Sequence, residues 1–321
     1  MNQHIVPFSQ GSKKKQLYLN KIFMSFKSSW QLYVMFLLPL MYILIFKYYP
    51  MLGTQIAFKD YKLSKGIWGS EWVGLDHFLR FFKSYQFNRV VFNTLRLSLY
   101  AIIAGFPLPI ILAISLNYTR KKTYKKLVQM VTYMPHFISV VVMVGIILQF
   151  LNPRYGMVNA LIVALGGQGI DFMGKPGLFG SVYVWSGVWQ NLGYGSIIYL
   201  AALAGVSPEL HEAAIMDGAS LIKRIRHIDI PGIMPTAIIL LIMRMGHILD
   251  VGFQKILLLQ NPMNLRTSET IATYVYKVGL QAGRPDFGYA TAIGLSKSVI
   301  SLVILILVNR FAKRYSETSL W

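Results

Sequence analysis

The sequence contains no cysteine, and only 14% of its residues are charged, whereas soluble domains carry about a quarter. The lack of cysteine excludes disulfides, thiolate metal sites and cysteine nucleophiles. Acidic residues are the scarcest charge, because 12 Asp and Glu stand against 32 Lys and Arg. Hydrophobic residues make up 55% of the chain, and the mean hydropathy is +0.49. These proportions predict a protein whose surroundings are lipid.

The formal net charge of +20 would also suit a nucleic-acid binder. Here, however, the basic residues lie between long apolar runs and not on one polar surface. We therefore expect no nucleic-acid partner and interpret the basic residues as determinants of membrane topology.

Six apolar segments have the length needed to cross a bilayer, or nearly so. A hydrocarbon core of about 30 Å requires about 20 predominantly apolar residues in helical form. The segments are roughly residues 30–49, 95–117, 127–151, 179–204, 236–254 and 290–311. The sequence thus predicts an all-α integral membrane protein with six transmembrane helices.

The distribution of lysine and arginine predicts the orientation of these helices. Five lysines precede the first span, five basic residues lie in the link 120–126, and the loop 152–178 has only two. Short loops rich in basic residues stay in the cytoplasm. We expect both termini inside (N-in/C-in), with residues 1–28 as a cytoplasmic tail and 29–321 as the transmembrane domain.

Prolines lie within three predicted spans. Each proline removes an intrahelical hydrogen bond and clashes with the preceding turn, so kinks are expected at Pro39, Pro107, Pro109 and Pro135. Kinked helices either enclose a cavity or only adapt the packing of their neighbours.

The loop at residues 207–235, between the fourth and fifth predicted spans, has the pattern of a helix, a glycine turn and a second helix. Ser207 and Pro208 are typical of a helix start, and Gly218 suits the left-handed residue just past a helix end. A second short helix is expected after Ser220. Such a unit could bind DNA, lie on the membrane surface or dock a soluble partner. Small Ala213 and Ala214 favour docking, because they allow close approach.

This loop resembles the signature loop of the permeases of ATP-binding cassette (ABC) importers. The matching residues are Glu212-Ala213-Ala214, Gly218, Ile228, Ile230 and Pro231, and the one departure is Ile230 in place of leucine. The resemblance implies a MetI/MalF-like permease fold and a coupling helix that inserts into the ATPase subunit. The residues that it assigns to ATPase coupling are Glu212, Ala213, Ala214, Asp217, Gly218 and Pro231.

The same resemblance implies the partners and the location. They are a second permease subunit, a dimer of ABC ATPases and an extracellular solute-binding protein, assembled in the bacterial cell membrane. ATP and magnesium would be bound by the ATPase, so this multi-pass chain is expected to hold no cofactor or metal and to be no enzyme. A partial phosphate-loop pattern at Gly169, Gly174 and Lys175 agrees, because Pro176 stands where a magnesium-binding serine or threonine is required.

Further segments resemble the carbohydrate-uptake branch of these permeases. They are Tyr49-Pro50-Met51, Ile56 to Tyr61, Trp72 to Leu75 with Phe78, Gly252-Phe253, Leu257 to Leu259 with Asn261-Pro262, Phe287 to Ala292, and Leu320-Trp321. The function expected is translocation of an oligosaccharide. The alternatives are a secondary transporter or channel, or an ABC permease for another solute such as a peptide.

A substrate path is predicted from polar and aromatic residues inside the spans. Arg244, His247 and Asp250 recur every three residues along the predicted fifth helix, and Lys297 lies in the sixth. Charges within a membrane are costly and usually face a cavity or pair with one another. Arg244 or Lys297 could meet the carboxylate of an acidic saccharide, and mutual pairing of these charges is the alternative.

Aromatic rings could bind the apolar faces of sugars, while polar neighbours fix their orientation. Trp185 and Trp189 lie one helical turn apart in the fourth span, close to Asn191 and Tyr194. The alternative for the tryptophans is anchoring at the membrane interface or packing in the core. The predicted path is Trp185, Trp189, Asn191, Tyr194, Arg244, Asp250 and Lys297.

Overall fold

The computed structural model describes residues 28–315 and divides the chain into two compact units, Met1–Gln55 and Ile56–Trp321. The described part of the first unit, residues 28–55, is helical. Its elements are a helix Trp30–Ile43, a π turn Leu44–Tyr48, a short helix Tyr49–Met51 and the start of a 3-10 segment Leu52–Phe58. Pro39 lies inside the first of these helices. The predicted tail, except its last residue, and the segment Leu320-Trp321 lie outside the described residues.

The second unit is a helical bundle with one very small strand pair. Its α-helices are Gly66–Gly69, Asp76–Lys83, Tyr85–Gly105, Pro107–Asn117, Lys122–Tyr133, Val140–Phe150, Met157–Ala164, Pro176–Ala204, Pro208–Met216, Leu221–Arg224, Ile230–Gly246, Phe253–Leu259, Leu265–Ser268, Ile271–Tyr276 and Phe287–Tyr315. A 3-10 turn covers Met134–Phe137, and π turns cover Ile225–Asp229 and Lys277–Gln281. The two-residue strands Lys59–Asp60 and Glu71–Trp72 pair antiparallel, with Lys59 opposite Trp72.

Four helical runs of the described chain are long and apolar enough to cross a membrane. They are Trp30–Phe58, Tyr85–Asn117, Leu221–Gly246 and Phe287–Arg314. A fifth span results if the bent pair Lys122–Phe137 and Val140–Phe150 is taken as one. The predicted fourth span corresponds to Pro176–Ala204, which has 29 residues but is not among these runs. Its many glycine, serine and amide residues lower its apolar character.

The second and third predicted spans are not continuous helices. Pro107 is the first residue of a new helix, which begins one residue after Tyr85–Gly105 ends. At this position the missing N–H of proline removes no hydrogen bond within the helix. Pro135 lies in the 3-10 turn Met134–Phe137, and the helices on either side form an angle of 103°. The Ser139 side chain caps the second of these helices by accepting a hydrogen bond from the Val142 N–H. The prediction of one helix over 127–151 was wrong, because the backbone is extended at Ile138 and Ser139, between the two helical runs.

The fifth predicted span begins and ends earlier than expected. The helical run starts at Leu221, so the expected short second helix after Ser220 continues through the π turn Ile225–Asp229 into the span. It ends at Gly246, where the N–H groups of His247 and Ile248 bond to carbonyls three residues back and tighten the last turn. His247 and Asp250 therefore lie beyond the helix, and the predicted polar stripe along it was wrong.

The interior of the second unit contains three hydrophobic clusters. The long helix Pro176–Ala204 contributes Phe179 and Val184 to one cluster and Tyr199 and Leu203 to another. Close packing at this helix depends on Gly193, because a Cβ atom there would collide with the Thr132 carbonyl of the helix Lys122–Tyr133. The helix therefore serves as the central packing element of the bundle.

Candidate coupling loop and substrate cavity

The loop between Pro176–Ala204 and the run Leu221–Gly246 has the helix, turn and cap positions that the sequence predicts. The Ser207 hydroxyl accepts a hydrogen bond from the Glu209 N–H at 3.3 Å and caps the helix Pro208–Met216. Gly218 has a φ of +72°, in the left-handed region. The Ser220 hydroxyl accepts a hydrogen bond from the Lys223 N–H at 3.5 Å and caps the next helix.

The residues predicted to contact the ATPase lie on the surface of this loop. Glu212, Ala213, Asp217 and Gly218 are exposed, and Ala214 is half-buried. Exposed apolar side chains surround them, which sequence reasoning did not single out: Leu210, Ile215, Met216, Leu221 and Ile222. Met216 is the most open of these, at 86% exposure. The loop therefore presents an apolar surface with two carboxylates, as a docking element requires.

The two ends of the loop lie close together. Pro231 occupies the first turn of Ile230–Gly246, and Gly232 follows it. A Cβ atom at Gly232 would lie 2.6 Å from a methyl carbon of Val206, the residue just before the loop helix. Pro231 is exposed and lies where the loop joins the membrane helix.

Four residues form a polar hub beneath the loop: Tyr118, His211, Arg224 and Asp229. Asp229 is fully buried and accepts a hydrogen bond of 2.6 Å from the Tyr118 hydroxyl. His211 Nε2 lies 3.4 Å from the other oxygen of Asp229, and the Arg224 guanidinium lies 5.8 Å from the centre of the Tyr118 ring. Burial and the hydrogen bond to Asp229 raise the pKa of Tyr118 to about 12, so this hydroxyl remains a donor.

The polar hub was missed from the sequence, although it connects the loop to the rest of the bundle. His211 lies on the loop helix, Tyr118 follows the helix Pro107–Asn117, and Asp229 lies in the π turn that leads into Ile230–Gly246. The one available signal was the acidic residue between Ile228 and Ile230, in an otherwise apolar motif. A movement of the loop helix would act on two further helices through this hub.

A cavity of about 770 Å³ is lined by six helices of the bundle: Tyr85–Gly105, Pro107–Asn117, Val140–Phe150, Pro176–Ala204, Ile230–Gly246 and Phe253–Leu259. Its polar lining consists of Tyr183, Gln190, Asn191, Arg244, Gln254 and Lys255. Asn191 and Arg244 are thus the two residues of the predicted substrate path that reach this cavity.

Lys255 was missed by the sequence analysis. It is 8% exposed, and its ammonium group donates a hydrogen bond of 2.9 Å to the Tyr183 carbonyl. The ammonium also lies 5.1 Å from the centre of the Tyr183 ring. Its signal in the sequence was a single lysine within the apolar stretch 253–259.

The aromatic residues of the predicted path occupy other places. Trp185 and Trp189 line a separate cavity of about 550 Å³ with mostly apolar walls, and the Trp185 Nε1–H donates a hydrogen bond to the Tyr100 hydroxyl. The Tyr194 ring stacks on His136 at 3.9 Å between centres. His136 Nδ1 in turn lies 3.1 Å from Asn191 Oδ1. His136 therefore links Tyr194 to the wall of the larger cavity.

Asp250 and Lys297 pair with each other. Lys297 Nζ forms an ion pair with Asp250, and His247 Nδ1 lies 3.3 Å from the second oxygen of Asp250. Neither Asp250 nor Lys297 lines the larger cavity. This geometry matches the alternative in which these charges fix helix packing. Among residues 28–315, no group of three acidic or histidine side chains converges in a way that could hold a metal ion.

Comparison with known proteins identifies the class. Residues 105–317 match the family described as the inner membrane component of binding-protein-dependent transport systems. The chain belongs to this family. The predictions of an ABC importer permease and of an all-helical, MetI-like permease fold are confirmed.

Two named proteins of Bacillus subtilis are similar to this chain over most of its length. The chain is 42% identical over 290 residues to protein LplB of Bacillus subtilis, covering 90% of this chain and 91% of LplB. It is also 42% identical over 290 residues to the polygalacturonan/rhamnogalacturonan transport system permease protein YteP of the same organism, covering 90% of each chain.

The fold is also similar to that of solved transporters. A chain of a bacterial ABC transporter involved in the import of the acidic polysaccharide alginate matches with a TM-score of 0.84 and 41% identity, over 92% of this chain and 99% of that one. A chain of the alginate transporter in complex with a pentasaccharide-bound periplasmic protein matches with a TM-score of 0.86 and 40% identity, over 94% of this chain and 100% of that one.

Proposed function

We propose that this chain is the transmembrane permease subunit of an ATP-driven importer in the bacterial cell membrane. It translocates an oligosaccharide that an extracellular solute-binding protein delivers. The observation that carries the proposal is the exposed loop helix Pro208–Met216, joined by the polar hub to helices that border the cavity. The transport of saccharides or their polymers by the relatives YteP and the alginate transporter supports the class of substrate.

The chain crosses the membrane six times in this proposal, with both termini in the cytoplasm. Pro176–Ala204, the fourth span in chain order, completes the six, because 29 helical residues extend about 43 Å at about 1.5 Å each, more than a hydrocarbon core of about 30 Å. The basic link 120–126 and the coupling loop 207–235 then lie on the cytoplasmic side. Residues 1–28 are the cytoplasmic tail, and residues 29–321 are the permease domain.

The partners are a dimer of ABC ATPases, a second permease and the binding protein. Glu212 and Asp217 offer acceptors to the ATPase, while Ala213 and Ala214 let the loop helix approach closely. ATP and magnesium are bound and used by the ATPase, so hydrolysis takes place outside this chain. Closure of the ATPase dimer moves the loop helix, and His211 transmits the movement through Asp229 to the membrane helices.

The larger cavity is the substrate route within this subunit. Its volume lies in the range of about 300–1,000 Å³ that small-molecule sites occupy. Gln190 and Asn191 can exchange hydrogen bonds with sugar hydroxyls there, and Phe253 and Tyr183 supply ring surfaces. The alternatives, a secondary transporter or channel and a permease for peptides, receive no support from the relatives and structures named above.

The test is purification of the chain together with the products of its neighbouring genes, followed by reconstitution into proteoliposomes. We expect a complex with an ATPase and a second permease, whose ATP hydrolysis rises when saccharide-loaded binding protein is added. A well-folded chain that recruits no ATPase and transports alone would overturn the proposal.

A further inference from the structure

Two cations face the larger cavity, and no acidic residue lines it. Arg244 reaches it from the last turn of Ile230–Gly246, and Lys255 reaches it from the helix Phe253–Leu259. The other polar side chains in its wall are neutral: the Tyr183 hydroxyl and the amides Gln190, Asn191 and Gln254. The wall therefore carries a formal charge of +2.

Both cations lack an acidic partner. Within the described part of the chain, no carboxylate oxygen lies within 4.0 Å of a side-chain nitrogen of Arg244 or Lys255. Other cations of the same unit are paired: Lys297 with Asp250, Arg89 with Glu269, and Arg80 with Asp286. Lys255 is buried, where an unpaired charge is costly, whereas Arg244 is exposed. An anionic ligand in the cavity would compensate both charges.

Both cations keep donors and space available. The Lys255 ammonium has three hydrogens and donates one hydrogen bond, to the Tyr183 carbonyl. The Arg244 guanidinium lies 5.9 Å from the centre of the Phe106 ring, a contact that uses none of its N–H groups. A glycine faces each cation: a Cβ atom at Gly187 would lie 3.3 Å from Lys255 Nζ, and one at Gly105 would lie 3.7 Å from Arg244 Nη1. The absence of these side chains leaves room for a ligand beside each charge.

We infer that the cavity takes an anionic saccharide, whose carboxylates are bound by Arg244 and Lys255. This inference rests on the proposed function and specifies its substrate as a uronate-containing oligosaccharide. A neutral sugar could accept hydrogen bonds from both cations but would leave their charges uncompensated. A carboxylate accepts these hydrogen bonds and also compensates the positive charges, and Arg244 can bind it with two parallel hydrogen bonds.

The test uses the purified complex of both permeases and the ATPase dimer, without binding protein. The probes are trisaccharides of galacturonate and of mannuronate, each compared with its neutral methyl ester, and binding is measured by titration calorimetry. We expect at least one acid to bind about tenfold more tightly than its ester. The variants Arg244→Gln and Lys255→Gln should each weaken binding of the acid about tenfold and leave binding of the ester unchanged.

Control variants separate charge recognition from structural damage. Arg244→Lys keeps the charge and should retain most of the affinity for the acid. Lys65→Gln removes a positive charge from a residue that does not line the cavity and should change nothing. Assembly with the ATPase should be the same in every variant, and basal ATP hydrolysis should be unchanged in Lys65→Gln.

Several results would overturn the inference. They are equal binding of acid and ester, no binding of either acid, and glutamine variants that weaken acid and ester alike. A complex that assembles and imports only neutral oligosaccharides would leave the proposed function standing and remove this inference alone. A chain that recruits no ATPase would remove the proposed function itself.

Discussion

The Tyr118 hydroxyl donates a hydrogen bond of 2.6 Å to Asp229, whose side chain is fully buried. This bond joins the end of Pro107–Asn117 to the π turn before Ile230–Gly246. Because His211 of the loop helix lies 3.4 Å from the other carboxylate oxygen, three helical elements meet at one acidic side chain. In the proposed function, movement of the loop helix is transmitted to the membrane helices through this side chain.

The first prediction concerns this acidic side chain. Asp229→Asn keeps an acceptor for Tyr118 but removes the charge that attracts His211, whereas Asp229→Ala leaves the hydroxyl of the half-buried Tyr118 without its acceptor, at a cost of about 1 kcal/mol. We expect the asparagine variant to assemble with the ATPase but to import less saccharide per ATP hydrolysed. The alanine variant should also unfold at a lower temperature.

The measurement is the ratio of uptake to ATP hydrolysis in proteoliposomes, together with thermal unfolding. Tyr118→Phe is the matched variant, because it removes the donor and keeps the ring beside Arg224. Unchanged ratios in Asp229→Asn and Tyr118→Phe would show that the polar hub does not transmit the movement.

The second prediction concerns the glycine turn of the coupling loop. Gly218 has a φ of +72°, and a Cβ atom at this position would meet no atom within 4 Å. A substitution there acts only through backbone strain, which costs roughly 1–3 kcal/mol for a residue that disfavours the left-handed region. We expect Gly218→Val to abolish uptake while the chain still inserts into the membrane.

Gly218→Asn is the control, because asparagine tolerates the left-handed conformation and should retain most uptake. Insertion is followed by the amount of chain in washed membranes and uptake by a labelled saccharide. Normal uptake by Gly218→Val would contradict the assignment of the coupling helix.

The third prediction concerns helix packing at Gly193. A methyl group there would collide with the Thr132 carbonyl of the neighbouring helix, and backbone cannot move aside cheaply. Gly193→Ala should therefore destabilise the purified chain by roughly 1–3 kcal/mol, as measured by its unfolding in detergent. Gly145→Ala is the matched change, because nothing lies within 4 Å of that Cβ position. Equal stability of both variants would show that the two helices do not pack this closely.

Local features of the loop could be predicted from the sequence, because they depend on residues close together in the chain. Ser207, Gly218 and Ser220 have caps and a turn that need only their own backbone. Lys255 could not be recognised in this way. Its role depends on the orientation of one short helix towards the wall of a cavity, which is decided by packing between helices distant in sequence.

The prediction of one helix over 127–151 and the polar stripe predicted along the fifth span failed for a similar reason. Hydropathy records the apolar character of residues 127–151 but not the extended backbone at Ile138 and Ser139, where the 103° bend lies. The end of the fifth helix at Gly246 separates Asp250 from Arg244, although regular spacing placed them on one face. Consequently, the charges predicted to form one path lie in different surroundings.

The last prediction distinguishes two roles of the Asp250–Lys297 ion pair. Lys297 is 20% exposed and Asp250 is 52% exposed, so removing Lys297 leaves a partly shielded carboxylate without its cation. We expect Lys297→Met alone to lower uptake and stability. Asp250→Asn combined with Lys297→Met should recover part of both, with a coupling energy of about 0.5–3 kcal/mol in a double-mutant cycle.

Recovery in the double variant would mean that the ion pair fixes the packing of Phe287–Tyr315, since the loss of two substrate contacts would instead lower uptake cumulatively. A double variant with lower uptake than either single variant, at equal stability, would instead assign the two residues to the substrate path.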